Sequence, residues 1–225
     1  MELGDAGFQQ FPKIARLSRD MVITEKIDGT NAQVFIQRLA HSALGDMERT
    51  PNGSLVVFSR EVPYLVRAGS RNRWVTPEKD NFGFACWVQK NARELVTTLG
   101  KGRHFGEWWG AGIQRRYGLQ EKRFSLFNVS RWHTAGRPPF ESESDDSRLP
   151  GKFSTELPLL LSTVPILYTG LFDTETVSTV LRNLEDAGSV AAPGFMDPEW
   201  VVVFHVASGV SFKKTLDGDG HKGER

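Results

Sequence analysis

The first residues of this chain with the makings of a reaction are Glu25-Lys26-Ile27-Asp28-Gly29-Thr30-Asn31. A lysine stands where the apolar run Val22-Ile23-Thr24 gives way to a carboxylate and a glycine turn. An amine so placed is a candidate nucleophile. It must first lose the proton that a free lysine, with a pKa of about 10.4, keeps at neutral pH, so nearby cations or desolvation have to favour the neutral form. Alone, Lys-x-Asp-Gly arises by chance in roughly one chain in twenty of this length, from ordinary residue frequencies. On that basis its first reading is a hairpin turn with an exposed lysine.

Five further strings follow in order: Ser59-Arg60, Phe105-Gly106-Glu107, Ser125-Leu126-Phe127-Asn128, Glu199-Trp200-Val201-Val202-Val203 and Phe212-Lys213-Lys214. Each has a plain structural alternative. Phe127 in an alternating strand would ordinarily be core, and the aromatic bulk of Trp108-Trp109 suits packing better than ligand stacking. His41, His104, His133, His205 and His221 lie scattered without metal-ligand spacing, and no acidic pair has the spacing of a self-contained two-metal site. The only cysteine, Cys86, can form neither an internal disulfide nor a multi-cysteine zinc site, and reads as a small buried apolar residue.

The elements that would position these residues are mostly strands. Residues 21–39 read as two strands around the Asp28-Gly29 turn, so that Lys26 sits at a strand end. Ser54 to Arg60 reads as another strand, after the turn dipeptide Asn52-Gly53, and a basic irregular stretch with Arg67, Arg71 and Arg73 leads on to Trp74. Ala85, Val88, Ala92, Leu95, Val96 and Leu99 are largely at helical spacing, which predicts a helix over 83–99 stopped by Gly100. Strand-like segments at 103–110 and 123–132 flank a connection rich in glycine and arginine that contains Arg115 and Arg116. The polar, acidic, proline-flanked residues 137–151 read as a solvated loop. A helix is expected from Asp173 to Ala187, with Asp173 or Thr174 as its cap, and 199–216 reads as two strands joined at Ser208-Gly209. No internal repeat is apparent.

At 225 residues, 39% hydrophobic and 24% charged, the chain can bury a large core and reads as one domain spanning 1–225. Twenty-two glycines and eleven prolines, with short alternating runs, favour a sheet-rich architecture over a helical bundle. A net charge of +1 supplies no global field for a polyanion, so nucleic-acid binding would need a local basic patch. The N-terminus lacks a signal-peptide pattern and no apolar run reaches membrane-spanning length, from which a soluble cytoplasmic protein is expected, with no membrane partner.

Taken together, the ordered strings resemble the RNA ligase family of covalent nucleotidyltransferases, from about Phe11 to Lys214. The resemblance implies an α+β fold: an ATP-grasp-like nucleotidyltransferase core of mostly antiparallel sheets with flanking helices. It makes Lys26 the nucleophile, with Asp28, Gly29 and Asn31 beside it, and Glu25 the reader of the adenine amino group. Glu107 would bind the ribose, Phe127 stack on adenine, and Arg60 serve the later sealing steps with Asn31. Lys213 would contact the α-phosphate, with Lys214 as a substitute. Glu199 and Asp28 would hold Mg²⁺ or Mn²⁺ that enters with ATP.

Two positions depart from the family pattern. Trp200 stands where glycine is common, and Thr215 replaces the second lysine of a Lys-x-Lys pair. Only eleven residues follow Lys214, from which no C-terminal OB domain is expected, and Lys13, Arg16 or Arg19 become candidates to orient pyrophosphate.

The activity implied is ATP-dependent ligation: a Lys26-AMP intermediate, AMP transfer to a 5′-phosphate end, and sealing to a 3′-hydroxyl. RNA is the expected substrate, and the expected form is a monomer, with room for a partner chain. The alternatives are a minimal DNA ligase, a capping guanylyltransferase core, or a catalytically silent module that binds nucleic-acid ends.

Overall fold

The computed structural model describes residues 10–11, 13–44, 51–132 and 161–214, and the expected loop at 137–151 lies outside them. Two sheets organise the chain. A four-stranded sheet runs in the order β11 (Val210–Lys214), β10 (Trp200–His205), β1 (Asp20–Lys26), β9 (Ile166–Leu171). A seven-stranded sheet has the order β3 (Leu55–Ser59), β4 (Val62–Ser70), β2 (Thr30–Arg38), β6 (Gly102–Gly110), β7 (Lys122–Leu126), β8 (Leu161–Thr163), with β5 (Trp74–Val75) paired to β4. All these pairings are antiparallel except β7 with β8. The mixed α+β class implied by the resemblance is the one observed.

Period-2 alternation gives each sheet one apolar face. In β2 and β4, Ala32, Val34, Ile36, Val66 and Ala68 pack against helices α1 (Phe84–Lys90) and α2 (Ala92–Leu99). In the other sheet, Met21, Ile23, Val201 and Val203 meet Val177, Val180, Leu181 and Leu184 of α4 (Thr174–Ala187). A third cluster, with Ile27, Trp109, Tyr117, Val164 and Ala192, joins the two sheets. Both tryptophans of the 108–109 pair are core, as their bulk suggested. The short α3 (Val129–Trp132) follows β7. Among the described residues no helix is long and apolar enough to cross a membrane.

The helix expected over 83–99 is two helices. They break at Asn91, whose side-chain amide donates to the Trp87 carbonyl at 2.7 Å and so competes with the backbone ladder. Asp173 caps α4 by accepting from the Thr176 N–H at 2.7 Å, which settles the choice between it and Thr174. Cys86 is exposed rather than buried, on the face of α1 that turns away from the sheet. Of the stretch read as irregular after the Ser59-Arg60 strand, only 71–73, with Arg71 and Arg73, is so; the rest is β4 and β5, with Arg67 inside β4 between the buried Val66 and Ala68.

The chain passes from one sheet to the other through Ile27, Asp28 and Gly29, and the approach there is close. A Cβ at Gly29 would lie 2.5 Å from the Trp108 carbonyl oxygen and 2.7 Å from Trp109 Cβ. Neither atom can swing aside, since both belong to β6. Gly29→Ala should therefore lower stability by about 1–3 kcal/mol, the usual scale of overpacking, which thermal or urea unfolding would read.

Candidate active site

Lys26 is the last residue of β1 and pairs across the ladder with Trp200, the first of β10. The Lys26 ammonium donates to Glu199 Oε2, from the residue just before β10. From the other sheet come Asn31 and Glu107, direct partners on β2 and β6, with Asn31 Nδ2 donating to Glu107 Oε2 at 2.9 Å. Glu107 is buried, with a relative exposure of 6%. Its pKa is pushed up to about 7, first by burial, with the Glu199 charge adding to the shift and the Asn31 hydrogen bond and Lys26 charge opposing it. Lys26, Glu199, Glu107 and Asn31, widely separated in sequence, thus meet at one place.

Strand alternation sends Glu25 to the opposite side of β1 from Lys26. Its carboxylate is sealed at 1% exposure and accepts from Ser189 Oγ at 2.5 Å and from the N–H groups of Val190 and Ala191, both at 2.9 Å. The structure therefore turns Glu25 toward the 189–191 segment instead of an open base pocket. Asp28 donates its N–H to Tyr117 Oη at 2.7 Å, and its carboxylate lies 3.3 Å from Arg115 Nε. Arg115 also donates to the Asp197 carbonyl at 3.0 Å and pairs with the Asp197 carboxylate at 2.5 Å, tying the β6–β7 connection to the approach to β10. Burial of the Tyr117 phenol raises its pKa. Sequence reasoning gave Tyr117 no role and Arg115 only a place in a loop; no local spacing signal marks either.

Phe127 is 42% exposed, so it is not a core residue. Its N–H reaches the Phe105 carbonyl at 3.0 Å, which continues the β6–β7 pairing that sets Ser125 opposite Glu107. Phe127 therefore stands on the same face as Glu107. On the β10–β11 hairpin, Lys213 pairs with Val202 and so shares the face of Thr24 and Lys26, whereas Lys214 pairs with Val201 and shares that of Glu25.

Arg60 is not with these residues. It occupies the two-residue β3–β4 turn with Glu61, both at positive φ, and the Leu39 N–H bonds to the Pro63 carbonyl beside that turn. Asn31 is at the other end of β2, about 25 Å away at roughly 3.3 Å per strand residue, beyond any arginine's reach. The opposite end of β4 does abut the site. Ser70 pairs with Ala32, next to Asn31, and Arg71 follows it, exposed. The sequence carries this second Ser-Arg dipeptide in plain view; only the strand register separates the two.

The sequence matches the RNA ligase family over residues 19–218, which is 200 of its 225 residues. The chain belongs to that family. Its fold is similar to solved structures of Naegleria gruberi RNA ligase. One, a mutant with AMP and Mn, matches at 15% identity with a TM-score of 0.50, over 89% of this chain and 51% of that one. Another, an apo mutant, matches at 15% identity and a TM-score of 0.51, over 89% and 50%. This chain thus spans about half the length of those proteins. No curated protein matches it.

Among the described residues no three His, Cys, Asp or Glu side chains gather to hold a metal ion. Of the carboxylates expected to hold a divalent ion, Asp28 is paired with Arg115 and Glu199 with Lys26.

Glu107 makes a further prediction possible. A carboxyl whose pKa rises on folding stabilises the folded state at low pH, and that stability is lost as pH rises through the folded value. Between about pH 4.5 and 7, wild type should lose up to ~3 kcal/mol relative to Glu107→Gln, and urea titrations of both across that range would show it.

Proposed function

We propose that this chain is an ATP-dependent RNA ligase that carries AMP on Lys26. The observation that supports this most is the meeting of Lys26 and Glu199, from one sheet, with Glu107 and Asn31 from the other. An amine, an acceptor for its proton, and a buried carboxyl hydrogen-bonded to an exposed amide are parts that nucleotidyl transfer can use.

In this reading Lys26 Nζ attacks the α-phosphorus of ATP. The ammonium first gives one proton to Glu199 Oε2, so that the neutral amine carries the attack. The bond to pyrophosphate breaks, and the second proton, released as the N–P bond forms, leaves with pyrophosphate. An oxygen of a nucleic-acid 5′-phosphate then attacks the same phosphorus, the N–P bond breaks, and Lys26 regains a proton. Finally a 3′-hydroxyl attacks the activated 5′-phosphate and AMP leaves. Glu107 and Asn31 hold the ribose, Phe127 supplies a ring for the adenine, and Lys213 faces the α-phosphate from the β10–β11 hairpin. Mg²⁺ or Mn²⁺, held by Glu199 with the phosphates, would neutralise their charge. We assign Glu25 the support of the 189–191 segment, and we assign the positioning of the 5′-phosphate to Arg71 in place of Arg60.

Incubation with α-labelled ATP and a divalent ion should label the chain covalently without any nucleic acid, and Lys26→Ala should abolish the label. Labelling that survives Lys26→Ala would sink the assignment. Loss of a charge-assisted hydrogen bond is worth about 1.5–3 kcal/mol, so Arg71→Ala should slow sealing of pre-adenylylated RNA by roughly 10- to 100-fold while Lys26 still takes the label. Arg60→Ala should leave single-turnover sealing as it is; the opposite pattern would restore Arg60 to the mechanism.

A further inference from the structure

The helices cover only one face of the seven-stranded sheet. On its other face, beyond Glu107, the strands present Gln33 and Phe35 of β2, Arg67 of β4, Trp74 of β5, and Arg103 and Phe105 of β6. We propose that this face is a platform for the single-stranded segment next to the reacting end, with Arg67 and Arg103 on its phosphates and the Phe105 ring under a base. The proposal rests on the ligase reading of the Lys26 site for which strand end is held, but not for the binding itself.

The register builds the platform. Phe35 is flanked by Arg67 on one side and Arg103 on the other, and Gln33 by Gly69 and Phe105. The Arg67 guanidinium lies 4.0 Å over the Trp74 ring, and that of Arg103 lies 4.6 Å over Phe35 and 5.3 Å from Trp74. Phe35 and Trp74 are themselves in contact, with centroids 5.8 Å apart. Arg103 Nη1 also donates to Gln33 Oε1 at 3.0 Å, and Gln33 lies across Gly69, where a Cβ would meet Gln33 Cγ at 2.7 Å. Both guanidiniums thus rest over rings, Arg103 further held by Gln33, and among the described residues neither is engaged by a carboxylate, so their remaining donors are open to a ligand.

The charge on this face is one-sided. Among the described residues neither Arg67 nor Arg103 forms an ion pair, and from Gln33 to Gln37, Leu65 to Gly69 and Arg103 to Phe105 no strand residue is acidic. Partial burial, and after it the nearby Arg103 charge, hold Arg67 below its ordinary pKa. Two like charges kept together without a carboxylate suit a polyanion. A net charge of only +1 makes this local concentration the more telling.

Position and exposed rings select a single strand. Phe105 is 51% exposed and precedes Glu107 by two residues on β6, roughly 7 Å, with Arg103 roughly 13 Å away. A strand leaving the Lys26 site along β6 therefore crosses Phe105 first and the arginines next. Unpaired bases stack on exposed aromatic rings and on guanidinium planes, whereas a duplex hides its base faces.

The test is direct binding of a fluorescent, 5′-phosphorylated single-stranded RNA to the full chain, without ATP, as a salt titration. Phe105→Ala should weaken binding at least about fivefold, the low end for one base stack. Arg67→Gln with Arg103→Gln should flatten the slope of log K against log salt by about 1.4, or 0.7 for each phosphate that is no longer neutralised. Thermal melts read first select the folded variants, and Arg103→Gln, on an exposed residue, serves alone if the pair does not fold. Unchanged affinity and slope in folded variants would overturn the platform, as would equal or tighter binding of the same sequence as a full duplex. If wild type takes no label on Lys26 but these variants bind RNA more weakly, the ligase reading falls and the platform stands.

Discussion

Between Lys26 and Thr30 the chain leaves one sheet and enters the other. Four Cα-to-Cα steps at no more than about 3.6 Å each span at most some 14 Å, so the two strand ends cannot lie farther apart than that. The crossing is pinned along its length. Ile27 is buried in the cluster between the sheets, the Asp28 N–H is held by Tyr117, and Gly29 lies against the Trp108 carbonyl. Because the connection is short, the end of β1 and the start of β2 must lie close together. Lys26 and Thr30 are those ends; β6 sets Glu107 opposite Asn31, the second residue of β2, and the entry to β10 brings Glu199 to Lys26. The site follows from where the chain changes sheets.

The same crossing gathers charge. Two carboxylates and an ammonium in a partly buried space would be costly if every group stayed ionised and unpaired. Glu199 is matched by Lys26, and Glu107, with its pKa near 7, can give up its charge to a proton when nothing else compensates it. Arg115 answers Asp28 and Asp197 at the rim and links the β6–β7 connection to the segment that leads into Glu199. The arrangement is balanced in pairs, with Glu107 as its adjustable member.

Most of this was legible where chemistry and period coincide. The lysine at a strand end, the Glu107 strand, the final hairpin and the Asp173-capped helix are all local patterns. What escaped was register. Ser59-Arg60 and Ser70-Arg71 are alike as dipeptides, yet they sit at opposite ends of β4, and only pairing with β2 tells which one adjoins Asn31. Arg67 misled for a related reason: an arginine between Val66 and Ala68 looks like the onset of a loop unless the strand has a wet face. Glu25 shows another limit. Its neighbour in sequence is the candidate nucleophile, but alternation gives it to the far side of the strand, where Ser189 and two backbone N–H groups, remote in sequence, complete its shell.

That alternation has a consequence for how finely Lys26 can be aimed. A lysine side chain turns about several bonds, and fixing it forfeits roughly 2 kcal/mol of rotamer entropy, so a reactive amine gains from a backbone that does not add its own wandering. Glu25, one residue away and gripped by three donors, acts as a bolt through the strand. To shift the Lys26 Cα sideways, or to slip β1 by one register step, the bolt must be drawn from a sealed pocket. The search left to the amine is therefore that of its own side chain, swung from a fixed pivot.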